Sequence, residues 1–274
     1  SWRSGFASLS SIVTAGLFFF FIGLLVKGRA LFSDIRRAAG ETGLNVKIIL
    51  FNIVVLYPVL VILSQGLTTF VRDQGWVLVD PATWQGIPML LVIFLAVFVG
   101  DFVGYWRHRL EHSSLFWPSH AVHHSDTEMT FLTVWRFHPI NRITTVVIDS
   151  AALLVLALPA EAVIANGLVR HYYGYFIHAN LPWTYGPLGR IFVSPAMHRW
   201  HHATDKAAYN TNYASIFSIF DQVFGTYRVP GRCTAPLGVT DKIAPTLRSQ
   251  MTYSLTPGAY RGLFRTRTKA RIDD

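Results

Sequence analysis

Long runs of apolar residues divide the first part of the chain and predict helices that cross a membrane. Residues 11–26 form the first run, and residues 46–71 and 87–105 form the second and third. A crossing requires about 20 apolar residues, a length that the first run reaches only if residues 6–10 join it. Pro58 lies inside the second run and predicts a kink there, because proline removes a backbone donor.

A further apolar stretch, residues 143–177, is too long for one straight crossing and too short for two complete ones. Pro159 and Glu161 interrupt it near its middle. A single crossing would place the histidines before it and after it on opposite sides of the membrane. We therefore predict a hairpin that enters and returns, and an all-α, multi-pass membrane bundle with about four crossings.

The composition agrees with a lipid environment. Charged residues make up 14% of the chain and mean hydropathy is +0.35, whereas a soluble domain carries about 25% charged residues. The net charge of +9 does not follow the aromatic-interleaved pattern of single-strand binders, so we expect no nucleic-acid partner. The single cysteine, Cys233, excludes an intrachain disulfide and a cysteine-rich metal site.

Basic residues predict the orientation. Lys27, Arg29, Arg36 and Arg37 follow the first run, and the loop after the second run has no basic excess. The positive-inside rule then places the end of the third run in the cytoplasm. The first run has no small-residue cleavage pattern after it, so we interpret it as a retained span. More basic residues crowd the C-terminal tail, namely Arg261, Arg265, Arg267, Lys269 and Arg271.

All eleven histidines fall between His108 and His202, and many of them repeat metal-ligand spacings. An HxxxH motif begins at His108, and HxxHH motifs begin at His120 and His198. Positions i, i+3 and i+4 share one face of a helix, so each motif is expected to present its imidazoles to one point. Asp101 lies on the helical face of His108, and we expect its carboxylate to accept a ligand imidazole N–H.

Two metals fit this histidine count better than one. The HxxEH pattern at His108, Glu111 and His112 also matches a zinc hydrolase motif, in which the glutamate is the general base. A catalytic zinc takes three protein ligands, which leaves most of the histidines unexplained. Imidazole alone does not choose among iron, copper, zinc and nickel, and a metal transit site in a transporter or sensor is a third alternative.

The ordered motifs resemble the fatty acid hydroxylase/sterol desaturase superfamily. After HxxxH and HxxHH come an Arg-Phe-His-Pro segment at residues 136–139, an isolated His178-Ala-Asn and the final HxxHH, and residues 220–227 also resemble the family. The resemblance covers about residues 99–229. It implies a non-haem centre of two iron ions at the cytoplasmic helix ends, with the ligands His108, His112, His120, His123, His124, His178, His198, His201 and His202.

Other polar residues are candidates for supporting these ligands. Beside Asp101 they are His138, Asn180 and Asp221. Asn141 stands where many members of the family have glutamate, which puts a carboxylate role there in doubt. We interpret His171, which matches no motif, as a structural histidine.

The resemblance implies a membrane-bound oxygenase that uses O₂ and two electrons to hydroxylate a C–H bond of a membrane lipid. Desaturation is the alternative within the family, and the zinc hydrolase is the alternative outside it. We expect a separate electron donor, a ferredoxin or a cytochrome, and a bacterial inner membrane rather than the endoplasmic reticulum. The expected organisation is a transmembrane region at 1–98, a histidine-motif region at 99–229 and a basic cytoplasmic tail at 230–274.

Overall fold

The computed structural model describes residues 2–260, with side chains for residue 10 and residues 12–260. The predicted basic cluster at residues 261–271 lies outside these described residues. Within them the regular structure is helical, as predicted, and isolated β-bridges join Phe192 to Phe217 and Ala203 to Leu237.

The helices are α1 (Trp2–Lys27), α2 (Ala30–Phe51), α3 (Tyr57–Asp73), α4 (Met89–Glu111), α5 (Trp117–His124), α6 (Pro139–Thr144), α7 (Ser150–Val155), α8 (Ala160–His178), α9 (Pro195–His201), α10 (Ile219–Val223) and α11 (Leu247–Thr252). Two π-helical turns, Asn52–Leu56 and Thr145–Asp149, connect α2 to α3 and α6 to α7. Short 3-10 turns are Pro81–Trp84, Phe131–Trp135, Gly186–Arg190, Lys206–Ala208, Tyr253–Leu255 and Pro257–Tyr260.

Among the described residues, two helices are long and apolar enough to cross a membrane. The first is the continuous helix Ala30–Asp73. Its backbone hydrogen bonds change to a π-helical turn at Asn52–Leu56, just before Pro58, where we expected a kink. The second is α4. Our prediction of a basic loop between the first two runs is wrong, because α2 begins at Ala30 and contains most of the residues assigned to that loop. Lys27 and Arg37 both bind Asp34 there, at 2.7 Å and 2.6 Å.

Residues 139–178 form a helical hairpin that includes the stretch 143–177, and its entry into the membrane stays a prediction. Its first leg runs from α6 to α7, and its second leg is α8. At its tip, the carbonyls of Val155 and Leu156 accept hydrogen bonds from the Leu78 amide and the Trp84 indole, which lie just before α4. The other end of α8 carries His178, near the end of α4. The hairpin therefore extends alongside the whole length of α4.

Close packing of α8 on α4 depends on two glycines of α4. A methyl group at Gly100 would overlap the side chain of Asn166, and one at Gly104 would overlap the guanidinium of Arg170. These glycines lie one helical turn apart, so they open one strip of α4 to polar side chains of α8.

The segment after residue 230 packs against the histidine-bearing helices as far as the structure describes it. Leu237 is buried against Met129 and Trp200, and the Ser254 hydroxyl lies 3.0 Å from His138 Nε2. Gly238, Val239, Thr240 and Asp241 line a small space together with His112, His124 and His201, so this segment also adjoins the histidines.

Candidate metal centre

The nine histidines predicted as ligands lie together in two clusters. Cluster A contains His108, His112, His120, His124 and His201, and cluster B contains His123, His178, His198 and His202. Within each cluster the potential ligand nitrogens all lie within 4.8 Å of one another, and every ring is buried except that of His112, which is half-buried.

Each HxxHH motif divides its histidines between the two clusters, which corrects our expectation that one motif points to one site. In α5, His120 and His124 face cluster A and His123 faces cluster B. The motif at α9 is reversed, with His201 in cluster A and the i, i+4 pair His198 and His202 in cluster B. Successive helical residues point about 100° apart, so adjacent histidines serve different sites.

The ring nitrogens are arranged as ligands of a cation. His108 Nδ1 lies 2.7 Å from the Tyr213 carbonyl and His201 Nδ1 lies 2.7 Å from the Thr211 carbonyl, so both Nδ1 atoms carry the proton. Their Nε2 atoms then present lone pairs to each other at 3.0 Å. Two lone pairs at this distance repel unless a cation lies between them.

Cluster B also brings ring nitrogens close together. His178 Nδ1 lies 2.7 Å from the Gly174 carbonyl, and its Nε2 lies 2.9 Å from His198 Nε2 and 3.2 Å from His123 Nε2. Both ring nitrogens of His202 are buried without a partner among the described residues. Nitrogens bound at about 2.1 Å and at right angles would lie about 3.0 Å apart, so both clusters fit a metal.

Burial keeps the cluster histidines neutral. It holds the pKa values of His123, His124 and His202 well below the usual range, and the neighbouring imidazoles lower them further. Burial likewise lowers the pKa values of His120 and His201. A metal ligand must be neutral imidazole, so these side chains are ready to bind at pH 7.

Two carboxylates hold the segment that orients His108. Asp221 accepts the Tyr213 amide at 2.7 Å and the Ala214 amide at 3.0 Å, and burial raises its pKa to about 6. Asp101 accepts the amides of residues 215–217, the shortest from Phe217 at 2.8 Å. Our expectation that Asp101 accepts an imidazole N–H was wrong, because the hydrogen bonds that its carboxylate accepts come from the backbone amides of residues 215–217.

Glu111 is held in a network of hydrogen bonds and ion pairs. Its carboxylate accepts Arg107 Nη1 at 2.8 Å and the Thr144 hydroxyl at 2.6 Å, and it lies 3.3 Å from His120 Nδ1. The Asn141 amide nitrogen also lies 3.3 Å from His120 Nδ1. Glu111 therefore orients a cluster A histidine, which argues against its use as the general base of a zinc hydrolase.

The other candidates lie away from the clusters. His138 caps α6, with Nδ1 accepting the Ile140 amide at 3.2 Å and Nε2 lying 3.1 Å from the Met251 carbonyl. Asn180 donates to Asp34 at 3.3 Å. His171 packs on Trp135 at a ring separation of 5.0 Å. The first two support the fold, and His171 lines the cavity described next.

A cavity of about 400 Å³ adjoins both clusters. Histidines 108, 120, 123, 178 and 198 form one wall, and the hairpin supplies much of the rest. Its charged lining, which was not predicted from the sequence, includes Arg107, Arg142, Asp149 and Arg170. Asp149 and Arg170 were detectable, because charges inside an apolar stretch mark functional sites.

Comparisons with known proteins agree with these motifs. The family described as fatty acid hydroxylase matches residues 93–226. An ornithine lipid hydroxylase, OlsE of Rhizobium tropici, is 34% identical over 62% of this chain and 51% of its own length. Human alkylglycerol monooxygenase is 31% identical over 54% of this chain and 31% of its own length. A Delta(7)-sterol 5(6)-desaturase of Gibberella zeae is 28% identical over 47% of this chain and 36% of its own length.

The chain thus spans about half the length, or less, of these three relatives. No solved structure matches it.

Proposed function

Because the chain belongs to the fatty acid hydroxylase/sterol desaturase superfamily through residues 93–226, we propose that it is a membrane-bound, two-iron oxygenase that hydroxylates a lipid. The facing lone pairs of His108 Nε2 and His201 Nε2 carry this proposal, since a cation between them explains their separation of 3.0 Å. Two iron ions would supply the activation of O₂ with two electrons from a separate ferredoxin or cytochrome.

The relatives favour a lipid substrate and hydroxylation. Two are named for hydroxylation or monooxygenation of lipids, and the sterol desaturase keeps desaturation as the alternative outcome. The cavity would hold a substrate beside histidines of both clusters. We infer lateral entry of the substrate from the bilayer.

We further propose that the hairpin contributes two legs to a bundle of four crossings, with the clusters on the cytoplasmic side of a bacterial inner membrane. The hairpin tip lies beside the residues that precede α4, and its base lies beside the end of α4, which supports this placement. The division into regions 1–98, 99–229 and 230–274 remains a proposal.

Metal content of anaerobically purified protein tests the proposed centre. We expect about two irons per chain in the wild type, and a sharp loss when His201→Ala and His202→Ala are combined, because each removes a ligand from a different cluster. His171→Ala is the control, since His171 belongs to neither cluster, and it should retain the iron. One zinc per chain, unchanged in the double variant, would refute the proposal.

A further inference from the structure

One cation in the cavity has no acidic partner. Arg142 on α6 lines the cavity, and none of the ion pairs or side-chain hydrogen bonds of the described residues involves its guanidinium. Its contacts are with the rings of Trp135 and Phe137, at 5.5 Å and 5.4 Å from the guanidinium carbon. A half-buried charge without a counter-ion is costly, so this position favours an anionic ligand.

The neighbouring charges are already paired. Asp149 accepts both Arg107 Nε at 2.8 Å and Arg170 Nη1 at 2.9 Å. Arg107 also binds Glu111 at 2.8 Å. These two acids match these two arginines, so the positive charge of Arg142 is unbalanced.

Arg142 is close to cluster B. Its guanidinium carbon lies 5.4 Å from the centre of the Phe137 ring. That ring in turn stacks on the ring of His123, with 4.8 Å between the ring centroids. The guanidinium therefore lies within about 10 Å of a cluster histidine. The two rings hold it against the cavity wall, and its planar donors remain available for a carboxylate or a phosphate.

We propose that Arg142 binds the anionic group of the lipid that the centre oxidises, so that the substrate is an acidic lipid and the oxidised carbon lies near its polar end. This inference rests on the proposed function. An anionic group bound at Arg142 would place the neighbouring carbon atoms of the lipid beside cluster B, and the far end of the acyl chain would lie away from it.

Equilibrium binding without turnover tests this assignment. Oleate, 1-oleoyl lysophosphatidate and neutral methyl oleate are titrated anaerobically into the purified, metal-loaded protein in detergent. We expect both anionic probes to bind about tenfold or more tightly than methyl oleate, as a charge-assisted hydrogen bond allows. The tighter of the two identifies the anionic group as carboxylate or phosphate.

Arginine variants then locate the site. Arg142→Gln should abolish the preference for the anionic probes, and Arg142→Lys should retain part of it, because lysine keeps the charge without the planar donors. Arg109→Gln is the matched control. Arg109 also lies over an indole, at 5.3 Å from Trp106, but it is exposed and outside the cavity.

The assignment would be overturned by equal binding of oleate and methyl oleate to the wild type, or by a preference that persists in Arg142→Gln. Competition by inorganic phosphate as strong as that by oleate would also overturn it, because the ligand would then be a free anion. Metal content measured on the same samples separates these results from a failure of the proposed centre, since the anion preference does not require the wild-type iron count.

Discussion

Replacing Asp221 by asparagine should weaken metal binding in cluster A without removing a histidine. One carboxylate oxygen accepts the Tyr213 amide and the Thr226 hydroxyl, and the other accepts the Ala214 amide. An asparagine keeps the first pair but turns an amino group toward the Ala214 amide. The hydrogen bond of the Ala214 amide is then lost, because two N–H donors face each other, and this costs about 1–3 kcal/mol of folding free energy.

That cost falls on the segment whose Tyr213 carbonyl orients His108. We therefore expect iron affinity at cluster A to fall about 10- to 100-fold, the range measured for partners behind metal ligands. Cluster B should be unaffected, because His178 is oriented by the carbonyl of Gly174 within its own helix.

The assay is competition for iron between the metal-free protein and a chelator, which separates a weak site from a strong one. Asp205→Asn is the control, because Asp205 only caps the exposed turn at Lys206–Ala208. One weakened site in Asp221→Asn and two intact sites in Asp205→Asn are expected. Equal affinities in both variants would refute the reasoning, as would an equal loss at the two sites.

Further predictions concern other parts of the molecule. Glu111→Gln should lower iron affinity at cluster A about tenfold and leave the product unchanged, whereas total loss of turnover with full iron would support the general-base alternative. Arg136→Met should lower the free energy of unfolding by about 3–5 kcal/mol, because it leaves the buried Asp126 and the half-buried Glu41 without their cation; thermal unfolding checks this against Arg37→Met, whose guanidinium is exposed. Gly104→Ala should lower the melting temperature through overlap with α8, and Gly66→Ala, with open space around it, should not. Metal-free protein should lose stability as pH falls below about 6.5, by up to about 1.4 kcal/mol per pH unit for each buried histidine. The reason is that burial lowers the pKa values of these histidines in the folded state, so the unfolded chain binds more protons than the folded one. An unchanged denaturation midpoint between pH 7 and pH 5 would contradict this.

Hydrophobic patterning and histidine spacing predicted much of this molecule. The helical class, a turn within residues 143–177 and the grouping of the nine histidines followed from periodicity and from the family resemblance, whereas entry of this hairpin into the membrane stays a prediction. The division of each HxxHH motif was not predicted, because it depends on how α5 and α9 are rotated between the two clusters. That rotation is set by tertiary packing, which local spacing does not report.

Backbone partners were also outside the reach of the sequence. Asp101 was identified as a candidate from its position on the helical face of His108, but its partners lie more than 110 residues away along the chain. Three cluster histidines bind carbonyl oxygens, which every residue has, so no residue type marks them. The unpaired Arg142 was missed because a charge is only unbalanced once its neighbours are known.

The distribution of ligands along the chain gives the two metal positions different histories during synthesis. Four of the five cluster A histidines precede the hairpin, whereas three of the four in cluster B lie at its end or after it. As the chain is made from its N-terminus, most of cluster A is present before α8 exists. Cluster B cannot form until the hairpin has folded back and α9 has been made. Maturation of the centre is therefore sequential, and an interrupted chain ending in the hairpin would retain only one nearly complete set of ligands.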